Sequence, residues 1–534
     1  MAQSPIGAPL ADYSETLAYI HGINRYAKKL GLENIVRLMK LLGDPQKRLR
    51  FIHIAGTNGK GSTAALTASV MRAAGYRTGL YTSPYLQRFT ERIRVDGAEI
   101  PENVLVQLAN VVRVAAETLV KSGRQHPTEL EVIAAIAFLY FERERCDVVA
   151  FEVGLGGRFD PTNVIDTPLA AVIATIDYDH MAKLGDTLEK IAFEKAGIIK
   201  TGGDAVLYPQ PDSVRRVFEE KAQSVGARLK VCDFTTLRQK SYGAGGQTFS
   251  YKSYDDLEIS LLGDFQARNA ALVVEAVETI NQNGAGGIYV SESALRLGLK
   301  RARWPGRMEI LREDPTFIID AAHNAQCALA LRETLDKYFP RRKKIFIMGV
   351  VQDKDYARII DVVLPIASAF FTVTTESARA LPADALADAI REQGKRVLCD
   401  WGGARLAGRI QACASPAEAA ERALALAKRM ERGETEDDAM GDDAAVGDYA
   451  TTNDYAAKGG TEDGVALRGG ASNDAAIGDV MMDGAATGNV FDSASTGNVF
   501  GGASTGSIEA GPVICAFGSI YYIGLLRNYF GINE

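Results

Sequence analysis

A glycine-rich segment between an apolar run and a helical stretch constrains this sequence more than any other feature. Residues 50–55 read as a buried strand, and residues 64–74 read as a helix. Between them lie three glycines and one lysine, within the run Gly56, Thr57, Asn58, Gly59, Lys60, Gly61, Ser62 and Thr63. A strand, a glycine-rich turn and a helix in this order predict a parallel α/β sheet with the loop at the carboxyl end of a strand.

This loop has the chemistry of a phosphate-binding site. Glycines let backbone N–H groups face phosphate oxygens, the start of a helix adds positive potential, and Lys60 would neutralise charge on the β- and γ-phosphates. The segment departs from the strict Walker A pattern, with Ile54 at the first glycine position and Gly61 at the Ser or Thr position. A glycine-rich turn without a ligand is the alternative, but the strand, the helix and the lysine favour phosphate binding.

Strands and helices alternate along most of the chain, which predicts parallel sheets covered on both faces. Residues 11–50 precede this pattern and read as an amphipathic helix, with one face formed by Leu17, Ile20, Ile23 and Leu30. Two further buried strands and a helix follow, at residues 146–153, 169–176 and 270–281. A segment with Pro and Gly at residues 301–307 then marks a domain boundary, which divides the chain into residues 1–300 and 301–534.

A second α/β unit follows the boundary. Its predicted strands and helices lie, in chain order, at residues 316–320, 325–338, 344–349, 356–364, 369–374 and 512–517. Before the last strand, residues 431–511 are rich in Gly, Ala, Asp, Asn, Ser and Thr. This composition cannot bury enough apolar area to offset the entropy of ordering, so it predicts a disordered acidic insertion. A tolerated surface insertion is a simpler interpretation than a segment that docks a peptide.

Composition and charge exclude several classes of function. A net charge of −7 over 534 residues argues against binding to nucleic acid or anionic membranes, which needs clustered Lys and Arg. We find neither a basic and apolar leader nor an apolar run of about 18 residues, so we expect a cytoplasmic monomer with no membrane segment. The six cysteines form no C-x-x-C pair, which argues against a zinc site or a disulfide framework.

Ionisable residues at the ends of predicted strands are candidate ligands. Glu152 ends an apolar strand, where open α/β sheets place their ligands, and a carboxylate there suits Mg²⁺. A surface ion pair is the alternative for Glu152. His180 follows the next strand, which favours a functional role over a structural one. Lys195 lies on the flank of a helix, where a lysine is usually solvated, and its spacing alone indicates no function.

Taken together, these motifs resemble the folylpolyglutamate synthase and dihydrofolate synthase family, within the Mur ligase superfamily. The resemblance covers both domains but not the acidic insertion, and it rests on residues 56–63, 82–84, 152–163, 179–198 and 320–324. Departures from the family pattern occur at Tyr85, Asp177, Tyr178, Phe265 and Ala325. None of them is a proposed metal ligand or Lys60, so the resemblance is weaker for the folate pocket than for the nucleotide site.

The resemblance implies a fold and a reaction. The fold would be an N-terminal P-loop-type Mur ligase central domain and a smaller, Rossmann-like C-terminal α/β domain. The reaction would be the ATP-dependent addition of L-glutamate to (tetrahydro)folate through an acyl phosphate, which releases ADP and phosphate and belongs to folate biosynthesis and one-carbon metabolism. A bifunctional enzyme that also makes dihydrofolate from dihydropteroate is an open alternative.

The resemblance also implies roles for individual residues. Ser83, Glu152, His180 and Lys195 would hold Mg²⁺, and CO₂ would carbamylate Lys195. Lys60, His180 and Lys195 would form the catalytic centre. The nucleotide would contact the loop from Gly56 to Thr63 and also Gln266, Asn269, Arg307, Asp320 and His323. Folate and L-glutamate would then react in the cleft between the two domains.

Two other functions remain open at this point. The first is a cell-wall Mur ligase that adds an amino acid to a nucleotide-linked muramyl peptide, but residues 91–93 and 349–355 resemble the folate branch instead. The second is a P-loop switch that hydrolyses nucleotide to regulate a partner. A switch would not explain a second α/β domain with Asp320 and His323 at the end of a strand.

Overall fold

The computed structural model describes residues 9–23, 31–397, 406–434 and 511–532. Nearly all of the predicted acidic insertion at residues 431–511 lies outside these ranges, so its disorder stays a prediction. The boundary at residue 301 also stays a prediction. A helix ends at Arg301 and the next strand begins at Glu309.

Within the described ranges, the first α/β unit contains eleven strands and ten α-helices. Its strands are β1 Phe51–Ala55, β2 Thr78–Tyr81, β3 Ile93–Val95, β4 Ala98–Glu99, β5 Val148–Glu152, β6 Ala170–Ile173, β7 Asp204–Leu207, β8 Arg228–Val231, β9 Arg238–Gly243, β10 Gly246–Tyr251 and β11 Tyr254–Ile259. Its helices are α1 Tyr13–Gly22, α2 Glu33–Leu41, α3 Lys60–Ala73, α4 Glu102–Lys121, α5 Glu129–Arg143, α6 Met181–Leu184, α7 Leu188–Ala196, α8 Asp212–Ser224, α9 Asp264–Asn283 and α10 Glu292–Arg301.

Eight of these strands form one sheet in the order β4-β3-β2-β5-β1-β6-β7-β8. All neighbours are parallel except β3, which pairs antiparallel with both β2 and β4. The sequence-based prediction of a parallel sheet is therefore confirmed for its centre and wrong at this edge. The chain passes from β2 to β3 through a loop rather than a crossover helix, so the two strands run in opposite directions.

Strand β1 is buried on both faces of the sheet, which explains why it is apolar along most of its length. Ile52 and Ile54 pack in one buried cluster with Leu66 of α3. Phe51 points to the other face, where its ring meets Phe138 of α5 edge to face at 5.8 Å. Helices on both faces thus hold β1 near the middle of the sheet, with the glycine-rich loop at its carboxyl end.

Strands β9, β10 and β11 form a separate antiparallel sheet that the sequence analysis missed. Most residues of β9 and β11 are exposed or half-buried. Their side chains are therefore largely polar, and no apolar run marks these strands in the sequence.

The described residues of the second α/β unit form six strands and five α-helices. The strands are β12 Glu309–Arg312, β13 Thr316–Ile319, β14 Lys344–Met348, β15 Ala367–Val373, β16 Ile410–Cys413 and β17 Val513–Phe517, and the helices are α11 Ala325–Tyr338, α12 Tyr356–Val363, α13 Ala383–Val397, α14 Pro416–Glu431 and α15 Ile520–Tyr529. The strand order is β12-β13-β17-β14-β15-β16, and only β12 is antiparallel to its neighbour. The six elements predicted for this unit are confirmed.

The single helix predicted over residues 11–50 is wrong. The structure has α1 and α2 there, followed by a short 3-10 turn at Pro45–Arg48. Ile23 has an extended backbone with ψ 143° and ends α1, and Leu30 lies outside the described residues. Two separate helices can have the same apolar spacing as one long helix. The periodicity alone therefore did not show that the helix breaks between α1 and α2.

Helix α4 is the one described helix that is long and apolar enough to cross a membrane, judged by length and composition. Its residues Leu105 and Val112 are fully buried, and they pack in the same cluster as Phe138 of α5. The apolar face of α4 thus packs against α5, with further contacts to α1 and α2, as expected of a core helix.

Helix α10 packs very closely on α3, the helix that follows the glycine-rich loop. A Cβ at Gly298 would lie 2.3 Å from Val70 Cα, and the Ser69 hydroxyl donates a hydrogen bond to the Gly298 carbonyl at 2.7 Å. Glycine at this position therefore fixes the distance between the two helices.

We expect Gly298→Ala to lower the free energy of unfolding by about 1–3 kcal/mol, because the added carbon forces α10 away from α3. Denaturant unfolding would measure the loss. Gly394→Ala in α13 is the matched control, since a Cβ there has no neighbour within 4 Å, and it should be neutral or stabilise by about 0.5–1 kcal/mol. Equal losses in the two variants would contradict the close packing of α10 on α3.

Candidate active site

The glycine-rich loop lies at the carboxyl end of β1, between the ends of β5 and β6. Helix α3 begins at Lys60, directly after the left-handed Gly59 with φ 83°. The Lys60 ammonium donates a hydrogen bond to the carbonyl of Thr57 at 2.9 Å. The loop therefore presents an ammonium group beside the N-terminus of a 14-residue helix, an arrangement that favours a bound phosphate.

Residues from α9 and from the segment after α10 pack against this loop. Gln266 Nε2 donates to Ser62 Oγ at 3.2 Å, and Asn269 Nδ2 donates to Gln266 Oε1 at 3.0 Å. A Cβ at Gly61 would lie 3.0 Å from the indole ring of Trp304. This close approach explains why glycine replaces the usual Ser or Thr. Trp304 lies in the segment predicted as a domain boundary, and its contact with the loop was not predicted from the sequence.

Glu152, at the end of β5, is 4% exposed. One of its oxygens accepts a hydrogen bond from the Ser83 backbone N–H at 3.1 Å, and the Ser83 hydroxyl accepts one from Arg92 at 3.0 Å. Burial raises the pKa of Glu152, and the charges of Lys60 and Arg307 partly offset that effect. A surface ion pair, the alternative considered for Glu152, does not fit this burial.

Lys195 is 4% exposed, although a lysine on the flank of a helix is usually solvated. The ammonium donates to the carbonyl of Gly56, in the glycine-rich loop, at 2.8 Å. The backbone of Gly157 packs closely against the backbone of α7 at Glu194 and Lys195. Burial, with a further contribution from Lys60, lowers the pKa of Lys195 to about 7. Much of this lysine is therefore neutral near physiological pH.

Asp179 is contacted by residues from both α/β units. Its Oδ2 lies 3.9 Å from His180 Nε2 and 3.6 Å from His323 Nε2, and its Oδ1 accepts a hydrogen bond from Lys354. Although burial opposes it, the contacts with His323 and Lys354 hold the pKa of Asp179 well below its usual range. Lys354 was not predicted as a site residue, because nothing in the local sequence pattern shows that it reaches Asp179.

His180 precedes α6 and has a left-handed backbone with φ 51°. Its side chain is partly exposed, yet the surrounding protein lowers the pKa of His180 to about 4. The charges of Lys354 and Lys60 lower it further, whereas Asp179 opposes them. A neutral imidazole at neutral pH is the form that can coordinate a metal ion.

Asp320 follows β13 and is buried. Its two carboxylate oxygens accept hydrogen bonds from the backbone N–H groups of Met308 and Ala322, both at 2.8 Å. Burial raises the pKa of Asp320, and Arg307 opposes that rise. The carboxylate therefore fixes the start of β12 beside β13, while its assignment to ATP stays a prediction.

The first of two neighbouring cavities adjoins the glycine-rich loop through Gly61. The first has a volume of about 280 Å³, and its lining includes Gly61, Ser83, Glu152, Trp304 and Arg307. The second, of about 410 Å³, is lined in part by His21, Tyr85, Glu129 and Tyr521. The cavities share Pro84, Leu86, Gln87, Ile520 and Asn528, so they are neighbours along one cleft.

The predicted metal ligands fall into two groups around Lys60. Ser83 and Glu152 line the first cavity, whereas His180 and Lys195 do not. The charge of Lys60 nevertheless acts on the pKa values of Glu152, His180 and Lys195. Within the described ranges, no three His, Cys, Asp or Glu side chains cluster as a metal site. The predicted set includes only two such residues, so this finding does not test it.

Comparisons with known proteins identify the family of both domains. The model of the Mur ligase middle domain matches residues 54–277, and the model of the Mur ligase glutamate ligase domain matches residues 306–433. A dihydrofolate synthase/folylpolyglutamate synthase of Bacillus subtilis is 39% identical over 383 residues, which cover 71% of this chain and 88% of the relative. A folylpolyglutamate synthase of Lacticaseibacillus casei is 38% identical over 369 residues, which cover 68% and 84%.

Solved structures of similar proteins show the same fold. Mycobacterium tuberculosis folylpolyglutamate synthase complexed with ADP has a TM-score of 0.75 at 27% identity, with 97% of this chain and 98% of that chain covered. An FPGS-AMPPCP-folate complex has a TM-score of 0.63 at 36% identity, with 68% and 90% covered. With two domain matches and relatives well above 30% identity, this chain belongs to the folylpolyglutamate synthase and dihydrofolate synthase family of the Mur ligase superfamily.

Proposed function

We propose that this chain is an ATP-dependent ligase that adds L-glutamate to the carboxylate of a reduced folate, with release of ADP and phosphate. The observation that carries this proposal is the first cavity, where Gly61 of the phosphate loop, Glu152 and Arg307 line one space. Such a space brings a γ-phosphate and an acceptor carboxylate together. This chain is similar to a folylpolyglutamate synthase complexed with ADP and to an FPGS-AMPPCP-folate complex. That similarity supports ATP and a folate as its substrates.

The reaction needs positioning and charge rather than a protein nucleophile. A folate carboxylate oxygen attacks the γ-phosphorus, ADP leaves, and the glutamate amine then displaces phosphate from the acyl carbon. The N–H groups at the start of α3 and the Lys60 ammonium hold the phosphates during the first step. The buried Glu152 and the half-buried Trp304 in the wall of this cavity limit the access of water to the acyl phosphate.

The residues present fit a divalent cation. Glu152 is a buried carboxylate at the wall of the cavity, where its charge needs a positive partner. Ser83, Glu152, His180 and a modified Lys195 would hold Mg²⁺, and the ion would neutralise phosphate charge when bound. Unmodified, Lys195 would repel the cation. The proposal therefore includes a change in the charge of Lys195.

The second cavity suits the pterin end of the substrate. It is larger than the first and has aromatic residues, Tyr85 and Tyr521, in its lining. Glu129 is buried and accepts a hydrogen bond from His21 at 3.1 Å, and its carboxylate can also accept hydrogen bonds from a pterin ring. A substrate that extends from this cavity into the first would place its glutamyl carboxylate beside the phosphate loop.

Use of dihydropteroate is the principal alternative within this proposal. The carboxylate of dihydropteroate lies closer to the pterin ring than the glutamyl carboxylate of a folate does. Because both acids carry a pterin ring, they would compete for the same cleft. Relatives named dihydrofolate synthase/folylpolyglutamate synthase and dihydrofolate synthetase support a bifunctional enzyme. The names of these relatives favour folate ligation over a cell-wall ligase or a nucleotide-driven switch.

The proposal also includes a monomer in the cytoplasm. All five described cysteines are free thiols, and four of them are buried. Reduced thiols of this kind are the rule in the cytoplasm. The proposed reaction uses residues of one chain, so it does not require a second copy.

The test of the proposed function is the release of ADP by the purified chain with different acceptors. We expect ADP release with Mg²⁺, ATP, L-glutamate and tetrahydrofolate, and little release when either L-glutamate or the acceptor is omitted. Lys60→Ala should lower this rate by about 10²–10³-fold, because the variant lacks charge at the phosphates. Lys121→Ala, at an exposed position of α4, is the matched control and should keep the wild-type rate.

The acceptors distinguish the alternatives. ADP release with dihydropteroate as well as tetrahydrofolate would establish a bifunctional enzyme, whereas release with tetrahydrofolate alone would restrict the chain to glutamate addition. ADP release that ignores both the acceptor and L-glutamate would overturn the ligase proposal in favour of simple nucleotide hydrolysis.

Carbamylation of Lys195 resolves the conflict between its ammonium and a cation. The neutral Nζ forms a bond to the carbon of CO₂ and loses a proton, which leaves a carbamate with one negative charge. The lowered pKa of Lys195, about 7, makes the reacting neutral amine abundant at neutral pH. Burial beside Gly56 protects the product from bulk water, and the new oxygens are donors of the kind that Mg²⁺ prefers.

We expect Lys195→Ala to be nearly inactive and to regain part of its activity when short carboxylic acids fill the vacated space. Wild-type activity should fall after prolonged removal of CO₂ and return with bicarbonate. Lys190→Ala is the matched control, since Lys190 is exposed on the same helix, and it should respond to neither treatment. Full activity of the wild type with an unmodified Lys195, shown by mass spectrometry after CO₂ removal, would refute the carbamate.

A further inference from the structure

The side chain of Asn58, within the phosphate loop, is bonded to the C-terminal domain. Asn58 Nδ2 donates to Gln326 Oε1 at 2.6 Å and to Asn324 Oδ1 at 3.3 Å. Asn324 Nδ2 donates in return to Asn58 Oδ1 at 2.9 Å. We call these three side chains the amide bridge. Its bonds use both amide hydrogens and the carbonyl oxygen of Asn58.

Both ends of the amide bridge are held in place by their own domains. Asn324 caps α11, and its Oδ1 also accepts a hydrogen bond from the Cys327 N–H at 2.9 Å. The Thr175 hydroxyl, beyond the end of β6, lies 3.2 Å from the Asn58 carbonyl and 3.3 Å from Gln326 Oε1. A small shift of either domain would therefore break the bridge rather than stretch it.

A second contact crosses between the same two domains nearby. Lys354 and His323, of the C-terminal domain, contact Asp179, which lies four residues after Thr175 in the chain. Charged contacts of this kind attract over several ångströms, whereas amide hydrogen bonds demand a defined geometry. The ion pairs can draw the domains together, and the amide bridge selects one arrangement.

We propose that Asn58 is a positioning residue that couples occupation of the phosphate loop to the placement of the C-terminal domain. Phosphate on the loop orders residues next to Asn58, which presents its amide to Asn324 and Gln326. By reciprocity, a domain placed on the amide bridge also favours the loop conformation that holds ATP. The inference rests on the proposed ligase function and assigns the side chain of Asn58 to the neighbouring domain, while its backbone stays available to phosphate.

Loss of the amide bridge has a distinctive chemical consequence. ATP still binds through the helix N-terminus and Lys60, and a folate carboxylate still accepts the γ-phosphate. The C-terminal domain then closes the cleft less often, so water reaches the acyl phosphate before the glutamate amine does. Hydrolysis of the acyl phosphate returns the folate and phosphate, so ADP forms without an amide bond.

The experiment compares ADP release with amide formation in the full-length chain. Wild type should give one ADP for each amide bond. Asn58→Ala should slow amide formation about tenfold, as expected for the loss of several hydrogen bonds, and should release clearly more ADP than amide. The dissociation constant of ADP, measured by calorimetry, should change by less than about threefold, since the main phosphate contacts remain.

Two further variants test the bridge from the other domain. Asn324→Ser keeps a residue that can cap α11 but is too short to reach Asn58, so it should give the same excess of ADP. Combined with Asn58→Ala, it should add little, because both variants break the same contact. Gln326→Met should act in the same direction. Gln352→Met is the matched control, since Gln352 is exposed and bonds within its own domain.

Three results would overturn the inference. An unchanged ratio of ADP to amide in Asn58→Ala would show that the bridge does not position the domain. A loss of ADP affinity in step with the loss of rate would show that the Asn58 side chain acts on the nucleotide itself. Additive effects of Asn58→Ala and Asn324→Ser would show that the two residues act separately. A wild type without folate- and glutamate-dependent ADP release would instead refute the proposed function.

Discussion

The burial of ionisable groups at the carboxyl edge of the eight-stranded sheet is the constraint on which the rest of the structure depends. Glu152 and Lys195 are each 4% exposed, and an ionised group in such a place is unfavourable unless opposite charge or hydrogen bonds offset its loss of water. Lys60 acts on both, since its ammonium favours the ionised form of Glu152 and disfavours that of Lys195. A bound polyanion and a bound cation would supply the opposite charges that these buried groups lack.

Parallel strands explain how distant residues reach this edge and why the sequence could predict it. The glycine-rich loop and His180 follow β1 and β6, and Glu152 ends β5. These three strands are neighbours in the sheet, and parallel strands end at the same edge. An apolar run that leads into Gly, Glu or His is a local signal. The end of such a strand can therefore be predicted from the sequence alone. The same holds for the start of α11, where Ala325 is both the predicted and the observed first residue, because the Asn324 cap is local.

Features that depend on contacts between distant segments could not be predicted from the sequence. The ammonium of Lys195 donates to the carbonyl of Gly56, 139 positions earlier in the chain, and the polar strands β9 and β11 are defined by their pairing rather than by apolar runs. Asn58 meets Asn324 across 266 positions of sequence. The resemblance to a family placed Lys195 at the site, but only the structure shows what the side chain of Asn58 contacts.

The central place of β17 links this fold to the order in which the chain is synthesised. β17 pairs with both β13 and β14, which precede it by far in the sequence. A ribosome that adds about 5–20 residues per second would leave the facing edges of β13 and β14 unpaired for on the order of ten seconds. Open strand edges recruit other strands. The speed of translation therefore sets how long the nascent C-terminal domain is exposed to mispairing before its last strand arrives.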